Sequence, residues 1–362
     1  MSLTELHRHR IGDVTTSLDS LRRPVKSSDR IPGPYPYYGA SGIVDTVESF
    51  IFEGLHLLVA EDGENLRSRN TPVAFLADGQ FWVNNHAHVL QGNDLADTRY
   101  LAYAIEQLDL SGYLTGSTQP KLTKAALDSI TLDLPSLAEQ QAIAEVLGAL
   151  DDKIAANTAL ANTAWTLAQA EFTFMQRQAE VGQVALGDIT YFEYGKSLPA
   201  TIRDPGDVLV VGSGGVSGTH NHALVDQSGV VVGRKGSAGT VMWISGRHFP
   251  IDTTFFIRGI REAYSQPFLY FLLRGLRLDE MNNDSAVPGL NRSEALALPV
   301  RVPDDASLAA FTKTAEILIA SVDAANAENR TLAATRDALL PQLISGKLRV
   351  RDAERVASEA GA

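Results

Sequence analysis

A dense group of hydrogen-bond donors lies in the segment STQPKLTK, residues 117–124. The donors are carried by Ser117, Thr118, Gln119, Lys121 and Lys124. Hydroxyl, amide and ammonium donors of this kind contact phosphate oxygens and base edges in nucleic-acid interfaces. A turn followed by a helix N-cap is the alternative interpretation. A related segment, SAVPGLNR at 285–292, ends in Asn291 and Arg292, which are candidates of the same type.

Arginine and lysine residues in polar loops form a second set of candidates. Arg67 and Arg69 follow a predicted strand in GENLRSRNTP, and Arg234, Lys235 and Arg247 flank glycine-rich turns. Arginine suits bidentate contact to guanine or contact to phosphate, and the backbone N–H groups of such turns are available to phosphate. A solvated loop without a ligand is the alternative for each of them.

Clustered histidines and asparagines raise the question of a metal site. Asn84, His86 and His88 are close in sequence, and His220 and His222 form a second pair. Alternate histidines on a strand suit zinc, but no further ligand cluster accompanies them. We favour a structural hydrogen-bonding role, followed by DNA contact through Asn84, His86 and His220. No metal site is predicted.

No pattern in the chain predicts catalysis, and no catalytic residue is assigned. The absence of cysteine excludes thiolate metal sites and cysteine nucleophiles. The glycine-rich segments at 211–218 and 233–239 lack the Gly-Lys-Ser/Thr ending of a nucleotide P-loop, and we interpret them as turns between strands. The amide-and-aromatic box that holds the target amine in DNA amino-methyltransferases is not found either.

The charge of the chain restricts how it could bind a polyanion. Its formal net charge of −12 argues against a protein that coats nucleic acid indiscriminately. Residues 1–134 carry 11 basic and 17 acidic side chains, whereas residues 181–302 carry 11 of each. DNA contact would therefore require local clusters or basic partners. The chain has no apolar signal segment and no run of transmembrane length, so we expect a cytoplasmic protein without membrane contact.

Short motifs recur in the same order at offsets of 167 to 175 residues. The pairs are IGDV and LGDI (11–14, 186–189), YYGASGI and VVGSGGV (37–43, 210–216), LVAEDG and VVGRKG (58–63, 231–236), HVLQG and FFIRG (88–92, 255–259), STQPKLTK and SAVPGLNR, and Pro135 and Pro303. Collinear matches of this kind indicate a tandem duplication. Apolar runs predict strands at 55–60, 71–77 and 229–233, and helical spacing predicts helices at 98–108 and 265–276.

A long helix with a coiled-coil seam follows each copy. Ser136 is the expected N-cap of the first helix, which would be roughly 60 Å long. The first seam contains Ile143, Leu147, Leu150, Ile154, Asn157, Ala161, Ala164 and Ala168, and the second contains Leu308, Phe311, Ala315, Leu318, Val322, Ala325, Asn329, Leu332, Arg336, Leu339 and Leu343. We expect the two seams to satisfy each other as an antiparallel pair. The alternative is that each helix packs only on its own domain.

These elements predict an α+β fold with two pseudo-repeated mixed α/β domains and two long helices forming an antiparallel coiled coil. The predicted segments are a first mixed domain at 1–134, a first helix region at 135–180, a second mixed domain at 181–302, a second helix region at 303–350 and a loosely ordered polar tail at 351–362. Pro341 is expected to kink or end the second helix, and Gly346 to terminate it. STQPKLTK and SAVPGLNR are each expected to precede a strand.

With this organisation the chain resembles the specificity subunit of Type I restriction-modification systems. The resemblance covers nearly the whole chain and is most specific at 81–90 (FWVNNHAHVL), 116–123 (GSTQPKLT), 134–154 (LPSLAEQQAIAEVLGALDDKI) and 339–348 (LLPQLISGKL). The second helix departs from the family pattern, because its start, VPDDASLAAF, lacks the Glu-Gln pair.

The resemblance implies a non-catalytic DNA-recognition subunit. Two target recognition domains would each read one half of a split site in double-stranded DNA, and the helices would set the gap and dock two methyltransferase subunits. Restriction/translocase subunits would join through the methyltransferase. S-adenosylmethionine and ATP are implied only on these partners, so no cofactor is expected on this chain. The alternatives are a structural adaptor without a DNA role and, less favoured, a self-contained DNA methyltransferase.

Overall fold

The computed structural model describes residues 5–178, 182–281 and 289–362. The chain divides into two compact units. Unit 1 contains Met1–Ala156 and Glu328–Ala362, and unit 2 contains Asn157–Ala327. No helix in the described ranges is long and apolar enough to cross a lipid bilayer.

The described residues form short strands, short helices and two long helices. The helices are α1 Ile11–Val14, α2 Asn65–Ser68, α3 Thr98–Glu106, α4 Lys124–Ser129, α5 Leu137–Gln178, α6 Gln266–Gly275, α7 Arg292–Leu296, α8 Asp305–Ile344 and α9 Val350–Glu359, with 3-10 turns at Asp19–Leu21, Ser27–Asp29, Ser111–Tyr113, Leu186–Asp188, Ala200–Ile202 and Leu278–Met281. The strands are β1 His7–Arg10, β2 Thr15–Ser17, β3 Tyr35–Gly39, β4 Gly42–Val47, β5 Phe52–Glu53, β6 His56–Ala60, β7 Ala74–Ala77, β8 Gln80–Val83, β9 Ala87–Gly92, β10 Thr131–Leu134, β11 Gly182–Ala185, β12 Thr190–Tyr194, β13 Val208–Gly212, β14 Gly215–His220, β15 Gly229–Gly233, β16 Val241–Ile244, β17 His248–Pro250, β18 Thr254–Gly259 and β19 Pro299–Val302.

Unit 1 contains two four-stranded sheets and the β1-β10 pair. One sheet is antiparallel with strand order β2-β9-β6-β7, and the other has order β4-β3-β8-β5 with β3 and β8 parallel. Every residue of β6 is buried. Leu57 and Val59 face the core formed with α3 and the long helices, whereas Leu58 belongs to a separate cluster with Phe52 and Phe81. A strand that is covered on both faces has apolar residues at successive positions, which explains the nearly continuous apolar sequence LHLLVA at 55–60.

Unit 2 repeats this design. Its antiparallel sheet has strand order β12-β18-β15-β16, a second sheet has order β14-β13-β17, and β11 pairs with β19. Val230 and Val232 of β15 face a core that includes Phe268 of α6, whereas Val231 packs with Val211 on the opposite side.

The strand register confirms the duplication and the α+β class. Val59 pairs with His88 in unit 1, and Val232 pairs with Phe255 in unit 2. These residues are related by the same offsets that relate the sequence motifs, 173 and 167. The predicted strands at 55–60, 71–77 and 229–233 correspond to β6, β7 and β15, and the predicted helices at 98–108 and 265–276 correspond to α3 and α6.

Within unit 1, α5 and α8 pack as antiparallel partners. Leu147 and Leu150 of α5 share one core with Leu332 of α8, and all three side chains are fully buried. Burial of each such side chain stabilises the fold by about 1.5–3 kcal/mol. Asn329 Nδ2 donates to the Ile154 carbonyl at 3.3 Å, which gives one of the two seam asparagines a contact across the helix pair.

Within unit 2, the same two helices continue their contact. Ala161 and Ala164 of α5 cluster with Val322 and Ala325 of α8. Every predicted seam residue on both helices is buried or partly buried. The predicted antiparallel coiled coil is therefore confirmed, and the alternative, in which each helix packs only on its own domain, is wrong.

The helix ends follow the sequence in part. Glu139 N donates to Ser136 Oγ at 3.3 Å, so the predicted N-cap of α5 is confirmed. α8 continues three residues beyond Pro341 and ends at Ile344, two residues before Gly346, which has a φ of +67°. The expectation of a loosely ordered tail is wrong, because residues 350–359 form α9.

α9 packs on unit 1 through a narrow apolar face, although most of its residues are polar. Ala353 and Ala357, one helical turn apart, are buried in the core of unit 1. The remaining side chains of the helix are largely polar, which made the segment look unstructured in the sequence.

The segments STQPKLTK and SAVPGLNR lead into helices rather than directly into strands. Thr123 Oγ1 accepts from Ala126 N at 3.2 Å as the N-cap of α4, and Asn291 caps α7. The expectation of a following strand is wrong for both. The alternative reading, a turn and a helix N-cap, describes the first segment. Residues 285–288 of the second segment lie outside the described residues.

Candidate nucleic-acid interface

In unit 1, three backbone segments meet just beyond the end of β6. Glu61 N donates to His86 O at 2.8 Å, and Leu122 N donates to Glu61 O at 2.8 Å. Asp62 and Lys121 form an isolated antiparallel bridge. We call residues 61–62, 86 and 121–122 the junction of unit 1. It brings together two predicted site residues, His86 and Lys121, that are distant in the sequence.

The side chains at this junction form an ionic network. Glu61 Oε2 accepts from Arg22 Nη1 at 2.7 Å, and Glu61 Oε1 lies 3.1 Å from Lys121 Nζ. Asp19 Oδ2 lies 2.6 Å from Nδ1 of the buried His88. The side chains of Asp19, Arg22 and Glu61 are 14–16% exposed, whereas that of Lys121 is 48% exposed. Lys121 is therefore the member of the network that faces solvent.

The network keeps its two carboxyl groups ionised. Burial raises the pKa of Asp19, but hydrogen bonds from His88 and the backbone N–H of Val89 outweigh burial, so the pKa lies below its ordinary value. Burial also raises the pKa of Glu61, and the hydrogen bonds from Arg22 and Lys121 outweigh it in the same way. The positive charges at the junction of unit 1 are thus largely neutralised within the unit.

The predicted donors at 117–119 lie on an exposed loop that returns to the junction. Arg67 Nη2 donates to Gly116 O at 3.0 Å, so this predicted site residue holds the base of the loop. Gly116 has a φ of +83°, and a Cβ at this position would lie 2.3 Å from Gln119 O. Only glycine fits there without displacing the loop. The loop therefore presents Ser117, Thr118 and Gln119 from a fixed backbone.

Arg69 and Lys124 are engaged within unit 1. Arg69 donates to the carbonyls of Glu106 at 3.1 Å and Leu108 at 2.6 Å. Lys124 forms an ion pair with Asp128 within α4. These contacts favour a structural role for both side chains.

Asn84 and His86 shape the turn that precedes β9. Asn84 is buried, and its Oδ1 accepts from His86 N at 2.7 Å. The half-exposed His86 ring places Nδ1 at 2.9 Å from Asp62 Oδ2. His86 therefore lies at the surface of the junction, whereas Asn84 supports the backbone beneath it.

Unit 2 contains the same junction with different side chains. Arg234 N donates to Thr253 O at 2.8 Å, Leu290 N donates to Arg234 O at 2.9 Å, and Lys235 forms an antiparallel bridge with Gly289. Arg234 and Lys235 occupy the positions of Glu61 and Asp62. We call residues 234–235, 253 and 289–290 the junction of unit 2.

A tyrosine and two arginines take the place of the ionic network at this second junction. The guanidinium carbons of Arg234 and Arg292 lie 5.3 and 5.5 Å from the ring centroid of Tyr194. The Tyr194 ring is 5.1 Å from Phe255, which occupies the position of His88. Arg234 Nε donates to Asp252 O at 3.0 Å, which orients its side chain.

The remaining predicted site residues of unit 2 form hydrogen bonds or ion pairs within the unit. His220 is buried, and its Nδ1 accepts from Asp204 N at 3.1 Å. Arg247 pairs with Asp226 at 3.3 Å on the surface. Asn291 accepts from two backbone N–H groups as the N-cap of α7. Within the described ranges, no group of three or more His, Cys, Asp or Glu residues could hold a metal ion.

Sequence reasoning missed Asp19, Arg22 and Tyr194. Asp19 and Tyr194 are related by the offset of 175 that also relates IGDV to LGDI. The repeat alone could therefore have located this position. The two positions were not recognised as equivalent, because one copy has an acidic residue, Asp19, and the other has an aromatic residue, Tyr194.

Three large apolar side chains form an exposed stripe on the part of α5 that belongs to unit 2. Leu160, Leu167 and Phe174 are 54%, 46% and 61% exposed. Their spacing of seven residues places them on one face of the helix, distinct from the buried seam. Contiguous exposed apolar patches mark interaction surfaces, so this row is a candidate for one. We call these residues the α5 stripe.

Comparison with known proteins gives two kinds of match. Residues 5–164 match the family model described as Type I restriction modification DNA specificity domain. A Haemophilus influenzae type I restriction enzyme specificity subunit is 39% identical over 140 residues, 39% of this chain and 36% of the relative. The EcoprrI specificity subunit of Escherichia coli is 28% identical over 120 residues, 32% of this chain and 28% of the relative. The chain thus spans about a third of the length of the curated relatives it matches.

The fold as a whole resembles a solved structure. The crystal structure of the Type I restriction-modification S subunit from M. genitalium superposes with a TM-score of 0.72 over 95% of this chain and 97% of that one. The sequence identity is 18%, so this similarity concerns the fold alone.

Proposed function

We infer that this chain is the DNA-recognition subunit of a Type I restriction-modification complex. The starting point is that residues 5–164 match the family model of the Type I restriction modification DNA specificity domain. Each unit reads one half of a split site in double-stranded DNA. The two halves differ in sequence because the two junctions carry different side chains.

The repeated junction is the observation that carries this proposal. The hydrogen bonds of Glu61 and Leu122 recur at Arg234 and Leu290 with nearly the same lengths. A protein with two duplicated DNA-recognition domains that bind different sequences needs the same backbone in both domains but different polar side chains. The side chains that contact the bases determine the sequence specificity, and the backbone positions those side chains. In unit 1 the exposed loop 117–119 and Lys121 are the proposed contacts.

The long helices set the gap between the half-sites and dock the methyltransferase subunits. α5 runs without interruption through 42 residues, and its seam is matched by α8. The α5 stripe is the proposed docking surface, because its apolar side chains are exposed beside the seam. This assignment agrees with the stronger family resemblance of the first helix.

The chain itself performs no chemistry in this proposal. Methyl transfer, with S-adenosylmethionine, belongs to the methyltransferase subunits, and ATP-driven cleavage belongs to restriction subunits that join through them. Much of the phosphate contact comes from these partners, since the chain carries a net charge of −12.

Methylation mapping tests the proposal. The chain is co-expressed with the methyltransferase subunit of the same genome, and modified bases are located in the DNA. We expect a split motif with a fixed gap, and alanines at Ser117, Thr118 and Gln119 should alter one half only. A continuous motif, no modification, or methyl transfer by the purified chain alone would refute it.

Docking is tested by charge substitution on α5. Leu167→Glu should abolish co-purification of the methyltransferase, because it places a carboxylate in the apolar stripe. Asn162→Glu, at an exposed position outside the stripe, is the matched control and should retain binding. Equal binding by both variants would refute the assignment of the stripe.

The gap is tested by inserting one heptad into α5 and one at the facing position of α8. The matched insertion keeps the seam in register and lengthens the pair by about 10 Å, which corresponds to about three base pairs of DNA. An unchanged gap in the methylated motif would contradict the spacer role.

A further inference from the structure

We propose that Tyr194, Arg234 and Arg292 form a phosphate-binding site for the DNA backbone, through which unit 2 supplies more of the salt-dependent affinity than unit 1. The inference rests on the proposed function, because it assigns one chemical role within the proposed interface. We call these three residues the Tyr194 cluster.

The cluster holds two positive charges beside one aromatic ring. Both guanidinium groups contact Tyr194, whose side chain is half-exposed. Arg234 is further oriented by the bond from Nε to the Asp252 carbonyl at 3.0 Å. Within the part of the chain that the structure describes, neither arginine forms an ion pair, and the neighbouring Lys235 is exposed and forms none either. Their positive charge remains available to an external anion.

Unit 1 has the opposite electrostatics at the corresponding positions. Asp19 replaces Tyr194, Glu61 replaces Arg234, and Asp62 replaces Lys235. Arg22 and Lys121 are both bonded to Glu61. The two cations Arg22 and Lys121 at the junction of unit 1 are thus paired with an internal carboxylate, and Lys121 is the more exposed of the two.

The chemistry of the cluster favours phosphate over a base. A planar guanidinium fork matches two phosphate oxygens, and an arginine held on an aromatic ring loses less freedom on binding. Because the guanidinium groups already occupy the ring, Tyr194 acts as a positioning residue and not as a stacking surface for a base. A chain of net charge −12 gains the most from unpaired cations of this kind.

The salt dependence of affinity tests the inference. The complete complex with its methyltransferase is titrated with a duplex carrying its mapped site. Arg234→Gln and Arg292→Gln should each lower the slope of log K against log salt by about 0.9. The affinity advantage of wild type over each variant should therefore shrink about threefold between about 50 and 200 mM salt.

Substitutions of the tyrosine separate positioning from charge. Tyr194→Phe should bind like wild type, because the ring is retained, whereas Tyr194→Leu should weaken binding although it removes no charge. Arg258→Gln is the matched control, since Arg258 is 58% exposed and already paired with Glu193 at 3.1 Å. An unchanged slope in both cluster variants, an equal loss in the control, or wild-type binding by Tyr194→Leu would overturn the proposal.

The methylated motif distinguishes this proposal from the proposed function. If the wild-type complex binds and methylates a split site, and the cluster variants bind DNA with the affinity and salt dependence of wild type, only the assignment of the phosphate-binding site is wrong. If wild type recognises no split site, the proposed function itself fails. The motif of the variants should be unchanged, because phosphate contacts carry no sequence information. Relaxed sequence preference in the second half would instead make the cluster a base reader.

Discussion

Leu332→Ala is the most direct test of the paired helices. Leu332 lies on α8, is fully buried, and shares the core of unit 1 with Leu147 and Leu150 of α5. Truncation of a fully buried leucine costs about 2.7–5 kcal/mol, because transfer energy is lost and a cavity remains. We expect a loss of about 3 kcal/mol in the free energy of unfolding of unit 1.

Thermal unfolding and hydrogen exchange measure this loss. Unit 1 combines Met1–Ala156 with Glu328–Ala362, and in a domain of this size 1 kcal/mol shifts Tm by about 2–4 °C. The transition of unit 1 should therefore fall by about 6–12 °C. Backbone amides in the first half of α5 should exchange faster, because they lose the packing of the opposite helix.

Ile43→Ala is the control in the same unit. Ile43 is 59% exposed, so its truncation should change the free energy of unfolding of unit 1 by less than about 0.5 kcal/mol. A loss below about 1 kcal/mol for Leu332→Ala, or an equal loss for both variants, would refute the packing described for the seam.

Two further predictions concern unit 1. Arg69→Ala should lower the free energy of unfolding by about 1–3 kcal/mol, because two carbonyls lose their donors, and should leave the methylated motif unchanged; an altered motif with unchanged stability would reverse this assignment. The lowered pKa of Glu61 contributes stability that is complete above the ordinary value of 4.5 and is lost as the pH falls through the lower folded value. When urea unfolding is measured from about pH 6 to pH 3, the free energy of unfolding should decrease less for Glu61→Gln than for wild type. Parallel plots of the free energy of unfolding against pH would show that Glu61 does not contribute to the pH dependence of stability.

The sequence predicted the architecture because repeats and periodicity are carried by many residues. Six weak motif pairs together located the duplication, and their offsets proved to be the register offsets of the paired strands. The seam was recognisable because burial on a long helix imposes a regular spacing. α9 escaped prediction because its buried side chains, Ala353 and Ala357, are small and indistinct in a polar segment.

The site was predicted less completely because the direction of a side chain is a tertiary property. Arg67 and Arg69 are two residues apart in one polar loop, yet Arg67 holds the loop at 116–117 and Arg69 binds carbonyls near the end of α3. No local pattern distinguishes them. Tyr194 could not be predicted as a site residue, because Arg234 and Arg292, which contact its ring, come from distant segments of the sequence.

Unit 1 is assembled from the two ends of the described chain, whereas unit 2 is one continuous stretch. During translation, Asn157–Ala327 leaves the ribosome before Glu328 and the residues that follow it. The domain that begins first is thus completed last, contrary to the usual N-to-C order of domain folding. Until then the apolar face of the early half of α5 lacks the α8 residues that cover it, and such transiently exposed apolar surface is prone to aggregation.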